Sequence, residues 1–255
     1  VLDVSLGSLL FLVVAGFVSG SVNAVAGGGS LIVFPALLAV GFNPLTANVT
    51  NSIAQWPGYA GVVLGNRQDL PGQGRRLVST GIVATIGSIV GCFLLLALPD
   101  AVFDAVVPVL VLLASALLAL QPQIKKWTGG GDSAPDAPDR MGVLLPAMFL
   151  AGVYGGYFGG ALGVILIATL ALCTHDRIVR LNAAKGVLSF IVATVTVVIF
   201  AIGAPVVWWA VLVLAPMTLL GGYVGARVAR KLPDNVLRWA VVLLGIAVGV
   251  YLMIR

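Results

Sequence analysis

Three adjacent glycines, Gly27, Gly28 and Gly29, stand before Ser30 inside the apolar stretch Gly20-Ser21-Val22-Asn23-Ala24-Val25-Ala26-Gly27-Gly28-Gly29-Ser30-Leu31. Each glycine costs a helix about 1 kcal/mol relative to alanine, so three together predict a break. The apolar run from Ser30 to Val40 is about eleven residues, the length of a half-helix rather than of a full membrane span. A half-helix starting at Ser30 turns free N–H groups and the positive end of its dipole toward the break, which is chemistry for an anion. Ser30 adds a hydroxyl and Asn23 an amide. Close packing through small residues is the plainer use of such glycines, but it calls for neither polar side chain.

The device recurs as Tyr154-Gly155-Gly156-Tyr157-Phe158-Gly159-Gly160-Ala161-Leu162-Gly163, again followed by a short apolar run, with its helix start near Gly163. Tyr154 and Tyr157 offer phenolic donors to a ligand, or belong to an interfacial aromatic belt. A second polar group opens the next run: Asn48, Asn51 and Gln55 are spaced i, i+3 and i+7, so one helix face carries them, with Ser52 at its border. Asn182 and Lys185 repeat the first two positions of that spacing. Buried amides at bilayer depth need partners, so this stripe faces protein or a wet interior. Lys185 either snorkels to the interface or supplies the counter-charge for an anion.

Other chemistries lack their parts. All nine acidic residues are aspartates, and none lies in the middle of an apolar run. The single histidine, His175, sits in a basic loop and reads as solvated. No spacing suits a metal, so neither metal nor cofactor is expected, and no nucleophile motif or phosphate loop is present. Cys92 and Cys173 lie in apolar runs and read as core residues.

The elements that position these residues follow from composition. Of 255 residues, 60% are hydrophobic and 9% charged, with a mean hydropathy of +1.12. Soluble domains run about 45–50% apolar and about 25% charged. An all-α polytopic membrane protein of about 8–10 segments is therefore expected, and a soluble enzyme or nucleic-acid binder is excluded. The net charge of +5 sits in short loops, which fits topology better than a nucleic-acid partner. Val1-Leu2-Asp3 carries no basic n-region, so no cleaved signal peptide is read there.

Apolar runs fall at 4–22, 28–41, 45–65, 77–97 and 101–121, then at 142–158, 160–173, 181–202, 206–226 and 234–254. The layout predicts two repeats, 1–121 and 142–255, joined by a polar linker over 122–141. Arg67, Arg75 and Arg76, then Lys125, Lys126 and Arg140, then Arg177 and Arg180, then Arg227, Arg230 and Lys231 occupy four loops on one side. The positive-inside rule makes that side, with the linker, cytoplasmic and places both termini outside. The halves then insert with opposite orientation, an inverted-repeat plan with Gly-broken half-helices.

The stretch Gly20 to Leu31, then Pro35, then Ala47-Asn48-Val49-Thr50-Asn51, resembles the TauE/SafE family of membrane permeases. Gly152-Val153-Tyr154-Gly155-Gly156-Tyr157-Phe158-Gly159-Gly160 and Asn182-Ala183-Ala184-Lys185 carry the resemblance through the second half. It implies an inner-membrane exporter of small sulfur-containing anions such as sulfite, sulfoacetate or other organosulfonates. The expected partners are that anion and the lipid bilayer, and a homo-oligomer is compatible with the sequence. The expected site gathers Asn23, Gly27, Gly28, Gly29, Ser30, Asn48, Asn51, Ser52, Gln55, Tyr154, Tyr157, Gly163, Asn182 and Lys185. A permease for a carboxylate or metal cation, or a membrane-embedded enzyme or assembly factor, stays open as an alternative.

Overall fold

The computed structural model describes residues 5–25, 27–127, 139–228 and 234–254. They form ten α-helices and no strand: α1 Leu6–Val25, α2 Ser30–Ala39, α3 Pro44–Gly65, α4 Gly74–Ala97, α5 Asp100–Trp127, α6 Met141–Tyr157, α7 Leu162–Cys173, α8 Ile178–Gly203, α9 Trp208–Val228 and α10 Asp234–Ile254. The all-α expectation holds, and the breaks fall at the two glycine runs. α5 continues to Trp127, into the stretch expected as linker, and 128–138 lie outside the described residues, as do Arg230 and Lys231.

Patterning is inside out relative to a water-soluble bundle. Leu6, Leu10, Val14, Val78, Ile82, Phe93, Leu150, Leu212 and Leu243 are exposed, while Asn23, Asn48, Asn51, Gln55, Lys185 and Ser189 are buried. An apolar exterior of this extent belongs in lipid. By length and apolarity, α1, α4, α5, α8 and α9 each qualify as membrane spans. At 10 and 12 residues, α2 and α7 reach only about half of the roughly 30 Å hydrocarbon layer. Leu31, Val33, Phe34 and Leu37 of α2 are all buried, so most of that half-helix is enclosed, with Ala39 exposed at its end.

Glycine pairs four residues apart let the long helices touch backbone to backbone. A β-carbon on Gly20 of α1 would come within 2.2 Å of the Thr218 carbonyl oxygen on α9, and one on Gly221 of α9 within 2.1 Å of the Phe17 carbonyl on α1. The same relation joins α6 and α4, where Gly152 and Gly156 meet the Ala84 and Ser88 carbonyls and Gly87 and Gly91 meet those of Phe149 and Val153. Thus α1 packs on α9 as α6 packs on α4; α2 touches α10 as α7 touches α5; α3 pairs with α8 and α5 with α10.

At the basic end, charges from separate loops converge. Arg76 reaches Asp139 at 2.9 Å and Asp176 at 3.1 Å, and Arg180 reaches Asp176 at 2.8 Å. Gln73 donates to the Arg180 carbonyl at 3.1 Å. His175 departs from the solvated reading, because its Nδ1 is buried without a partner beside this cluster. Burial pushes the Asp176 carboxyl up, but hydrogen bonds from Arg180, the Arg177 amide and Arg76 outweigh it and hold the group below its ordinary range.

Two outcomes follow from this packing. Gly156→Val drives a side chain into the Ser88 carbonyl and lowers the melting temperature of detergent-purified protein by roughly 5–10 °C. Gly142→Ala, whose β-carbon meets nothing within 4 Å, leaves it unchanged. A carboxylate with a lowered pKa contributes stability that is present above its unfolded value and lost as pH falls through the lowered one. Asp176→Asn therefore costs about 1 kcal/mol at pH 7, and the gap in melting temperature to wild type closes as pH drops below about 4. A gap that persists unchanged in acid contradicts the ionic account.

Candidate functional site

Each break is closed by a left-handed glycine. Gly27 has φ +84° and its N–H reaches back to the Val22 carbonyl at 3.0 Å; Gly159 has φ +73° and reaches the Tyr154 carbonyl at 3.1 Å. Both bonds span five residues, the way a helix commonly ends on glycine. Ala161, at φ 52°, is the one non-glycine among the described residues in the left-handed region, and it precedes α7.

Side chains then hold the loose ends. Asn23 Oδ1 accepts from the Gly29 N–H at 2.8 Å, and its Nδ2 donates to Gln55 Oε1 at 2.9 Å. Gln55 Nε2 donates to the Ser19 hydroxyl and, at 3.3 Å, to Asn51 Oδ1. Ser19 donates to the Gly29 carbonyl at 2.8 Å, which closes a ring around the first break. At the second break the Tyr154 hydroxyl donates to the Gly160 carbonyl at 2.6 Å.

The two breaks meet. A β-carbon on Gly27 would lie 2.7 Å from Gly163 Cα, so only glycine fits at this crossing. Polar contacts across it are reciprocal. Asn48 of α3 donates to the Tyr157 carbonyl, the last of α6, at 3.0 Å. Asn182 of α8 donates to the Ala24 carbonyl near the end of α1 at 3.5 Å, and Lys185 Nζ donates to the Asn23 carbonyl at 3.2 Å. Each pair satisfies carbonyls that a helix end leaves open and, for Lys185, sets a cation against the negative end of the dipole.

Beside this junction, between α3 and α8, lies a small hollow of about 20 Å³. That is room for a single water. Ser30, Ser52, Gln55 and Tyr59 line one side; Phe158, Gly159 and Leu162 line another; Ser189, Val192 and Thr196 line the third. Ser189 is 1% exposed and its hydroxyl has no hydrogen-bond partner. Lys185, at 2% exposure, is the one buried charged side chain among the described residues.

Of the residues expected from sequence, Ser30, Ser52 and Gln55 line the hollow. Asn23, Gly27, Gly29, Asn48, Asn51, Gly163, Asn182 and Lys185 form the junction behind it. Gly28 faces Leu118 of α5, and the Tyr157 ring packs on Phe103 at 5.8 Å. Tyr59, Ser189 and Thr196 were missed. Tyr59 extends the face of Asn48, Asn51 and Gln55 by one turn, and Ser189 stands at the spacing from Asn182 that Gln55 has from Asn48, so two of the three had a signal in the spacing.

An apolar exterior, with half-helices that meet inside the bundle beside a small hollow of mixed polar and apolar lining, defines a polytopic membrane protein. The sequence profile described as "Sulfite exporter TauE/SafE" matches residues 12–252, and the chain belongs to that family. It is 26% identical over 246 residues to a "Probable membrane transporter protein" of Haemophilus influenzae, covering 95% of this chain and 93% of that one. It is 24% identical to "Probable membrane transporter protein ORF9" of Sinorhizobium sp, over 98% and 94%. It is 27% identical to "Probable membrane transporter protein YfcA" of Escherichia coli K12, over 89% and 80%. No solved structure matches the chain.

The ring around the first break generates a prediction. Asn23→Leu leaves the Gly29 N–H and the Gln55 amide oxygen buried and unpaired, at about 1–3 kcal/mol for each group. Its melting temperature falls further than that of Ser21→Ala, which removes a part-buried bond to the Gly221 carbonyl. Equal melting of the two variants removes the ring from the account.

Proposed function

We propose that the chain carries a small sulfur-containing anion, such as sulfite or an organosulfonate, across the bacterial inner membrane through the hollow between α3 and α8. The observation that supports this most is the lining. Hydroxyls and an amide from both halves face a space at the starts of α2 and α7, and one hydroxyl, Ser189, has no partner within the protein. Helix starts and hydroxyls stabilise oxyanions, while Phe158, Leu162 and Val192 give an apolar wall for a short carbon chain. The family's description as a sulfite exporter points to the same substrate class.

Residues 1–121 and 142–255 act as two inverted repeats around this site, with the basic loops cytoplasmic and both termini outside. The reciprocal packing of α1 on α9 and α6 on α4 supports that pairing. The hollow is too tight for a sulfonate as it stands, so loading needs one repeat to rock against the other, with the glycine breaks as hinges. An inside-negative potential drives anion efflux at about 2.3 kcal/mol per charge per 100 mV.

The test is flux in proteoliposomes loaded in turn with sulfite, sulfoacetate, taurine and a simple carboxylate. Sulfite or sulfoacetate crosses, and Ser189→Ala and Gln55→Ala each cut that flux about tenfold, the scale of one lost hydrogen bond to a charged group. Gly142→Ala leaves it unchanged. Flux of the carboxylate alone overturns the substrate, and full activity in both site variants moves the site elsewhere.

A further inference from the structure

We infer that each repeat, as it rocks, carries one helix of the other, so that the moving bodies are α1, α3 and α9 against α4, α6 and α8; this rests on the transport reading above. The packing is exchanged between the repeats. Among the described residues, α9 packs broadly on α1 and α3 rather than on α6 or α8 of its own repeat, and α4 packs broadly on α6 and α8 rather than on α1 or α3. The joints inside each body are backbone on backbone. Gly58 of α3 meets Gly222 of α9, and a β-carbon on Gly61 would lie 2.6 Å from the Leu219 carbonyl oxygen. The Thr218 hydroxyl donates to the Ala54 carbonyl at 2.7 Å and the Ser21 hydroxyl to the Gly221 carbonyl at 3.2 Å, so α9 is bonded to both neighbours. In the other body α4 and α6 interlock through their glycines, and Arg76 at the start of α4 holds Asp139 before α6 and Asp176 before α8. Such joints hold no side chain that could turn to a second packing, so the helices in them travel together.

The face between the bodies is made differently. There α3 and α8 meet through side chains. The Trp56 ring stacks on Phe190 at 5.4 Å, its Nε1 donates to the Thr194 hydroxyl at 2.9 Å, and a β-carbon on Gly186 would sit 3.0 Å from a Val62 methyl. The hollow lies in this face. Large side chains beside a void can change rotamer, which gives a packed interface two arrangements and allows shear. Backbone meets backbone across this divide at Gly27 and Gly163, and that single crossing serves as the pivot. The segments that connect the bodies, 66–73 between α3 and α4 and 204–207 between α8 and α9, are short and lie outside the α-helices.

Electron double-resonance distances between nitroxide pairs test this on the purified full chain in proteoliposomes, with the buried cysteines removed as Cys92→Ala and Cys173→Ala. The labels go on Val14→Cys of α1, Leu212→Cys of α9, Val78→Cys of α4 and Leu150→Cys of α6, introduced in pairs at positions exposed on the apolar exterior. Val14 with Leu212, and Val78 with Leu150, join different repeats within one body. Val14 with Val78, and Leu150 with Leu212, join different bodies within one repeat. On addition of sulfite or sulfoacetate, whichever crosses in the flux assay, the first two distances hold and the last two shift by several ångströms. The opposite pattern overturns the inference, as do four fixed distances or four that shift. If a labelled variant does not fold, Leu10, Leu220, Ile82 and Val143 replace these positions on the same four helices. Passage of the carboxylate alone ends the sulfur-anion reading, and the same four distances read with the carboxylate then decide which helices move together. Absence of flux for every anion ends the transport reading and this inference with it.

Discussion

Backbone that leaves a helix within lipid can send its N–H and C=O groups only to the protein itself. That constraint organises this molecule. Each glycine break exposes the end of one helix and the start of another, and the carbonyls at those ends are taken up by side chains of the opposite half. Asn48 reaches Tyr157, while Asn182 and Lys185 reach Ala24 and Asn23. Neither break is complete alone. The polar stripes on α3 and α8 exist because the broken segments do, and the hollow exists because two broken segments cannot fill the space that two unbroken helices would.

The apolar exterior sets the other boundary. Lipid offers no hydrophobic drive to bring helices together, so the long helices associate through close backbone contact. Gly20 of α1 meets α9, and Gly152 and Gly156 of α6 meet α4, at distances that admit no β-carbon, and Gly16 lies close against Leu214 and Met217 of α9. The glycines of this chain therefore do two different jobs. Those in Gly-x-x-x-Gly pairs sit within regular helix and bring axes together. Gly27 and Gly159 have positive φ and end helices.

This distinction marks what was legible in the sequence. Ten apolar runs, the two breaks and the face carrying Asn48, Asn51 and Gln55 followed from composition and period, because these are local properties of the chain. The end of α5 did not, since Gln121 to Trp127 reads as polar yet continues the helix. Nor did the division between residues that line the hollow and residues that hold the junction. Tyr154 reads as a ligand donor from its position beside a glycine run, but its hydroxyl is spent on the Gly160 carbonyl. Which partner a polar group finds depends on where the opposite half lies, and no local pattern encodes that distance. Ser189 escaped notice because one serine in an apolar run carries little signal until its spacing from Asn182 is compared with that of Gln55 from Asn48.

The two breaks meet the same demand by unlike means. The first is tied by side-chain amides and hydroxyls from α1 and α3, with Ser19, Asn23 and Gln55 all buried in one ring. The second is tied by the Tyr154 hydroxyl, by the Asn48 amide on the Tyr157 carbonyl and by Ala161 in a left-handed conformation, which costs a residue with a β-carbon about 1–2 kcal/mol. The first break is thus held by several bonds that must yield together, and the second by two side-chain bonds and a backbone already under strain. If one segment has to change shape when the site opens, the barrier is lower at the second. Motion then belongs chiefly to α6 and α7 moving past α1, α2 and α3, which serve as the frame, and the tighter ring at Asn23 keeps the start of α2 in place while they do.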